Sequence, residues 1–71
     1  GHPMTIPQAY TRLFRHPEGS EVLKHLKKIT FERTLSPLAS DAELRFLEGQ
    51  RALVALILSF IKQGQQQGEN I

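Results

Sequence analysis

The sequence predicts an all-α fold, a three-helix domain with two short N-terminal helices packed on one long C-terminal helix. Three observations predict it. Apolar residues recur at helical spacing, and no stretch alternates as a strand does. Prolines and capping residues cut the chain into three helical segments. The longest segment holds a near-unbroken apolar run, Ala52-Leu53-Val54-Ala55-Leu56-Ile57-Leu58-Ser59-Phe60-Ile61.

The first helix is expected to start near Pro7, a residue tolerated in an opening turn. Ile6, Tyr10, Leu13 and Phe14 follow the rhythm of one helix face. His16-Pro17 ends it, because the residue before a proline is pushed out of the α region. Pro17 then opens the second helix, with Glu18 and Glu21 near its positive end. Val22, Leu23, Leu26 and Ile29 form its expected apolar face, and Lys24, Lys27 and Lys28 the opposite one. Gly19 weakens the first turn by roughly 1 kcal/mol relative to alanine, so that turn frays unless Gly19 is closely packed.

Residues 30–39 read as a connector, with Pro37 set between Ser36 and Ser40. Phe31, Leu35 and Leu38 are apolar for a loop and are expected to fold back onto the core. Ser40-Asp41-Ala42-Glu43 is a capping box, which starts the third helix. That helix is expected to run from Asp41 to Lys62, about 33 Å. Its apolar arc is about 200° wide, against the roughly 100° that one-sided packing needs. Residues 63–71 are rich in Gln and Gly and read as a disordered tail. Gly1-His2-Pro3 ahead of Met4 reads as a remnant of expression cloning, which leaves 4–62 as the single domain.

A chain of 71 residues buries only about 60% of the surface its unfolded form exposes, so it needs staples or partners. It has no cysteine, which excludes disulfides and cysteine zinc sites. The apolar run is about half the length of a membrane span, and no cofactor motif is present. Nine basic against seven acidic side chains is a mild excess that does not by itself indicate nucleic acid.

Two candidate surfaces emerge. The first is the exposed part of the wide arc, expected at Leu53, Leu56, Phe60 and Ile61, with Gln50 set inside it. Leu56 lies at the edge of the arc, so Leu56→Glu should spare the fold. Leu53 lies nearer its centre, so Leu53→Glu should unfold the domain. Gln50 either sets register with a partner helix or reaches water. Gly49, inside a strong helix, is expected to mark the close approach of another helix. Ala52, Ala55 and Ser59 make a seam of small side chains opposite the main face.

The second surface is basic. Lys24, Lys27 and Lys28, with Arg12 and Arg15, are candidate nucleic-acid contacts. However, the second helix has no Asn, Gln or Arg on its outer face to read base edges, and a solvated lysine face is the simpler reading. His16, His25 and Glu21 are too few for a metal site. Ser20 and Ser59 lack the setting of a nucleophile.

Phe14-Arg15-His16-Pro17-Glu18-Gly19, followed by Val22-Leu23 and Leu26, resembles the F-x-[ST]-P-E-G-x-x-V-L-x-x-L opening of a family of small proteins from tailed phages and prophages. Leu47-Glu48-Gly49-Gln50-Arg51-Ala52-Leu53 and Ile57 resemble its second half. His16 departs from the usual Ser or Thr, and Leu47 from a common aromatic. The resemblance spans Tyr10 to Ile61. It implies a small helical protein encoded among virion structural and assembly genes, with no catalytic residue. The expected function is therefore non-enzymatic structure or assembly. Its partner would be a virion component or a second copy, in the host cytoplasm or on the virion. The alternative is a small nucleic-acid-binding domain using the lysine face.

Overall fold

The structure, a computed structural model, describes residues 3–69. It is built from α1 (Ile6–Arg15), α2 (Pro17–Thr30) and α3 (Asp41–Glu69), with no strand among the described residues. The long C-terminal helix packs against the two shorter ones, as the hydrophobic periodicity implies.

Thr5 starts α1 with a complete capping box: its hydroxyl accepts from the Gln8 amide at 3.3 Å, and the Gln8 side chain accepts from the Thr5 amide at 3.1 Å. The chain turns at His16, held extended at φ −60° and ψ 141° ahead of Pro17. His16 then caps α2, its Nδ1 accepting from the Glu18 amide at 3.3 Å. The turn is tight. A Cβ on Gly19 would collide with the Leu13 carbonyl oxygen and come within 3.1 Å of the Phe14 Cα. Gly19 is thus closely packed, and its missing side chain lets α2 leave α1 at this corner.

Ser40 caps α3 by accepting from the Glu43 amide at 3.2 Å. The helix does not stop at Lys62. It continues through Glu69, so residues 63–69 are helical rather than a disordered tail. The cause is α1. Gly64 is buried against it, where a Cβ would collide with the Pro7 carbonyl oxygen and the Thr11 hydroxyl. Gln67 accepts from the Thr5 hydroxyl at 2.8 Å, and Thr11 donates from its hydroxyl to the Ile61 carbonyl at 2.9 Å. Gly1 and His2 of the proposed remnant, and the last two positions of the tail, lie outside the described residues.

Both short helices are rotated from their expected faces. In α1, Thr11 is buried, Tyr10 and Phe14 are half-buried, and Ile6 and Leu13 are exposed. In α2, Leu23, Leu26 and Thr30 turn inward, while Val22 and Ile29 are exposed. The rotations share a reason. Thr11 and Thr30 each satisfy their hydroxyls on helix carbonyls, Thr30 with Leu26 at 2.6 Å, so small threonines sit where helices approach. Of the three expected connector pins, Leu35 alone tucks in. Phe31 is exposed beside Ala52 and Ala55, and Leu38 is 93% exposed, not a pin.

The result is a rod with little interior. Its extents are 53 × 21 × 17 Å and its radius of gyration is 15.2 Å. A compact domain of this length would have a radius of gyration of about 11 Å. Only Leu47 and Val54 are buried apolar side chains among the described residues.

Candidate protein-interaction face

Arg51 ties the middle of α3 to the end of α2 and to the connector. Its Nε donates to the Thr30 carbonyl at 2.9 Å, and its Nη2 to the Arg33 carbonyl at 2.8 Å. Its Nη1 meets the Glu48 carboxylate at 2.8 Å. A planar guanidinium spreads its donors over three nitrogens in a fixed fork, so it reaches three separated acceptors that the single nitrogen of a lysine cannot span. The Glu48–Arg51 spacing is therefore structural: the arginine closes the end of α2 and anchors the connector, and the glutamate steadies it. The sequence expectations for this turn rest on Gly49 and Gln50, whereas the residue that ties the elements together is Arg51.

Gly49 is not where another helix approaches. It is exposed, and beyond the backbone of its own helix turn no atom lies within 4 Å of the position its Cβ would take. The glycines that do mark close approach are Gly19 and Gly64. The Gln50 amide is neither solvated nor paired on its oxygen side. Oε1 is buried and has no hydrogen-bond partner. An unpaired buried acceptor costs about 1–3 kcal/mol. Gln50→Met keeps the shape and removes the polar atom, so it should raise stability by about 1–2 kcal/mol in urea unfolding. An unchanged or lower midpoint would show that the amide is satisfied.

The open part of the arc is better defined than expected and differently placed. Leu53 is 60% exposed, Leu56 49% and Phe46 69%. Phe60 and Ile61 are half-buried against α1, with the Phe60 ring 5.1 Å from that of Tyr10. The centre of the arc is at Leu47 and Val54 instead of Leu53. Leu53→Glu should consequently spare the fold, contrary to the sequence expectation. Phe46, Gly49, Leu53, Leu56 and Phe60 recur at alternating three- and four-residue steps, so they form one stripe along α3. At its Phe60 end the stripe meets Tyr10, which shares a face of α1 with the exposed Ile6 and Leu13. On the other side of the stripe, Ala52, Ala55 and Ser59 are also exposed and carry no charge.

The basic residues are arranged less coherently. Lys24 and Lys28 are exposed, Lys27 is half-buried, and Lys24 lies 3.5 Å from the Glu21 carboxylate. Arg12 and Arg15 are exposed on α1, a separate helix. Among the described residues no three His, Cys, Asp or Glu side chains are grouped to hold a metal. No described helix is long and apolar enough to cross a membrane.

Fold and face together define a small helical protein whose main helix is only partly covered by its own chain. Residues 10–69 match the model of the Bbp19-like phage protein family, and the chain belongs to that family. The match covers both motif segments that carry the phage resemblance and extends through the last turns of α3. No curated protein and no solved structure matches the chain.

Proposed function

We propose that this phage protein is a non-enzymatic structural or assembly component that works by docking its apolar helix face. The observation that carries this reading is the mismatch between core and surface. Among the described residues two apolar side chains are buried, while Leu53, Leu56, Phe46, Leu13 and Ile6 stand on a connected face. Contiguous apolar surface of this kind marks interaction sites. Membership of a phage family supports a particle or an assembly intermediate as the setting.

The nucleic-acid alternative draws less support. Its lysines are split between exposed and half-buried positions, and Glu21 offsets one of them. Phosphate binding by such a face would weaken steeply with salt, whereas apolar docking would not.

The test is quantitative mass spectrometry of purified particles and assembly intermediates from an induced lysate of the encoding phage. Wild-type protein is expected in one of these fractions at fixed stoichiometry. Leu56→Glu should fold normally yet fall by about tenfold or more in that fraction, since a buried unpaired charge costs several kcal/mol at an interface. Absence of the wild-type protein from both fractions would overturn the reading.

A further inference from the structure

Gly49 has a cost with no return inside its own chain. A glycine inside a helix weakens it, and here nothing fills the space the missing side chain leaves. The notch lies on the exposed stripe, with Phe46 at one end and Phe60 at the other. We infer that the stripe is a self-pairing surface: two copies of α3 pack antiparallel, and Phe60 of each seats over the Gly49 notch of the other. This rests on the docking-face reading above and names its occupant as a second copy.

The register follows from the spacing. Three- and four-residue steps are the seam of a two-stranded coil, whose antiparallel layers match each first-type position with a second-type one. Leu53 then lies opposite the partner's Leu56, and Leu56 opposite the partner's Leu53. Phe60 faces the partner's Gly49, large against absent. Parallel pairing would instead set Gly49 on Gly49 and Phe60 on Phe60, a void in one layer and crowding in another.

The same register reaches the other exposed apolar residues of this face, Phe46 on α3 and Ile6 and Leu13 on α1. It places Phe46 opposite the partner's Gln63. Along α3 that level falls between the contacts of Thr11 with Ile61 and of Thr5 with Gln67, where α1 carries Ile6 and Tyr10. Phe46 thus enters the groove between the partner's α1 and α3. Ile6, Leu13, Phe46, Leu53 and Leu56 each present on the order of 100 Å², so covering them on both copies removes roughly 1,000 Å² from water, the threshold of a specific interface. The flank beside the stripe carries the exposed Arg45 and then the small Ala52 and Ser59, and the antiparallel register keeps the two Arg45 side chains about 28 Å apart along the axis, so they do not repel. Two rods with undersized cores become one bundle with a shared core.

The full chain is tested by sedimentation equilibrium up to near-millimolar concentration. Wild type is expected to be a dimer and Leu56→Glu a monomer. Gly49→Ala separates the inference from a merely exposed glycine. It should weaken dimerisation by about tenfold, because the notch is filled, yet raise the melting temperature of the monomeric Leu56→Glu background. Orientation is read with single cysteines, since the chain has none of its own. A mixture of Leu53→Cys and Leu56→Cys should give chiefly the mixed disulfide. Self-linked products alone would overturn the antiparallel register. A monomeric wild type, or a Gly49→Ala dimer as tight as wild type, would overturn the pairing. Monomer in solution with protein present in particles would overturn the pairing alone. A dimer absent from particles would overturn the assembly reading alone.

Discussion

Gly64→Ala is expected to destabilise the fold by about 2 kcal/mol, although alanine is the better helix former by about 1 kcal/mol. The new Cβ meets the Pro7 carbonyl oxygen and the Thr11 hydroxyl. The first is backbone and cannot rotate away, so α1 must lift from α3. That would break the Thr11 bond to Ile61 and the Thr5 bond to Gln67. For a domain of this size the melting temperature should fall by roughly 10 °C. Gly19→Ala meets the Leu13 carbonyl in the same way and should also destabilise. Gly49→Ala, in the monomeric Leu56→Glu background, should gain up to about 1 kcal/mol. Thermal melts of the three variants settle it. A Gly64→Ala protein melting at or above its parent would show that α1 is not seated there.

Arg51→Ala should cost about 2–3 kcal/mol. It removes charge-assisted bonds to the Thr30 and Arg33 carbonyls, each worth about 1.5–3 kcal/mol when buried and less where water competes. The Arg51 side chain is 29% exposed, which is why the lower part of that range applies. Arg51→Lys should recover less than half, because an ammonium cannot reach both carbonyls in the guanidinium geometry. Glu48→Ala should cost about 1 kcal/mol or less, since its carboxylate is largely in water. Urea unfolding should rank Arg51→Ala below Arg51→Lys, and Arg51→Lys below Glu48→Ala. An Arg51→Ala variant equal to Glu48→Ala would mean that the salt bridge, and not the carbonyl contacts, is what counts.

Local signals in the sequence were sound. His16-Pro17 marked the corner, Ser40 the start of the long helix, and the width of the apolar arc the uncovered stripe. What the sequence hid was the partner of each helix face. Gly64 in a Gln-rich segment carries no periodic signal. Its role exists only because Thr11 and Pro7, more than fifty positions earlier, come to rest on it. Gly49 invited a packing role by the same rule that explains Gly64, and nothing within the chain separates them. Leu53 looked central because the arc was read as one face. In the structure α1 and α2 approach α3 from different directions, which moves the centre to Val54 and leaves Leu53 at the rim. Arg51 was legible as a charge but not as a clasp, because its targets are backbone carbonyls, which no residue name reveals.

The seat of α1 has a consequence for the order in which the molecule is made. Its two fastening bonds join residues 50 and 62 positions apart. During synthesis α1 therefore lacks its seat on α3 until translation has passed Gly64, and only its tight corner with α2 at Gly19 can form before then. The Arg51 clasp joins residues only 18 and 21 positions apart and can close earlier. Closing a longer loop costs more entropy. The nascent chain should thus form the α2–α3 half first, with Tyr10, Thr11 and Phe14 of α1 still uncovered. Over that interval the greasy side of α1 is open to chaperones and proteases.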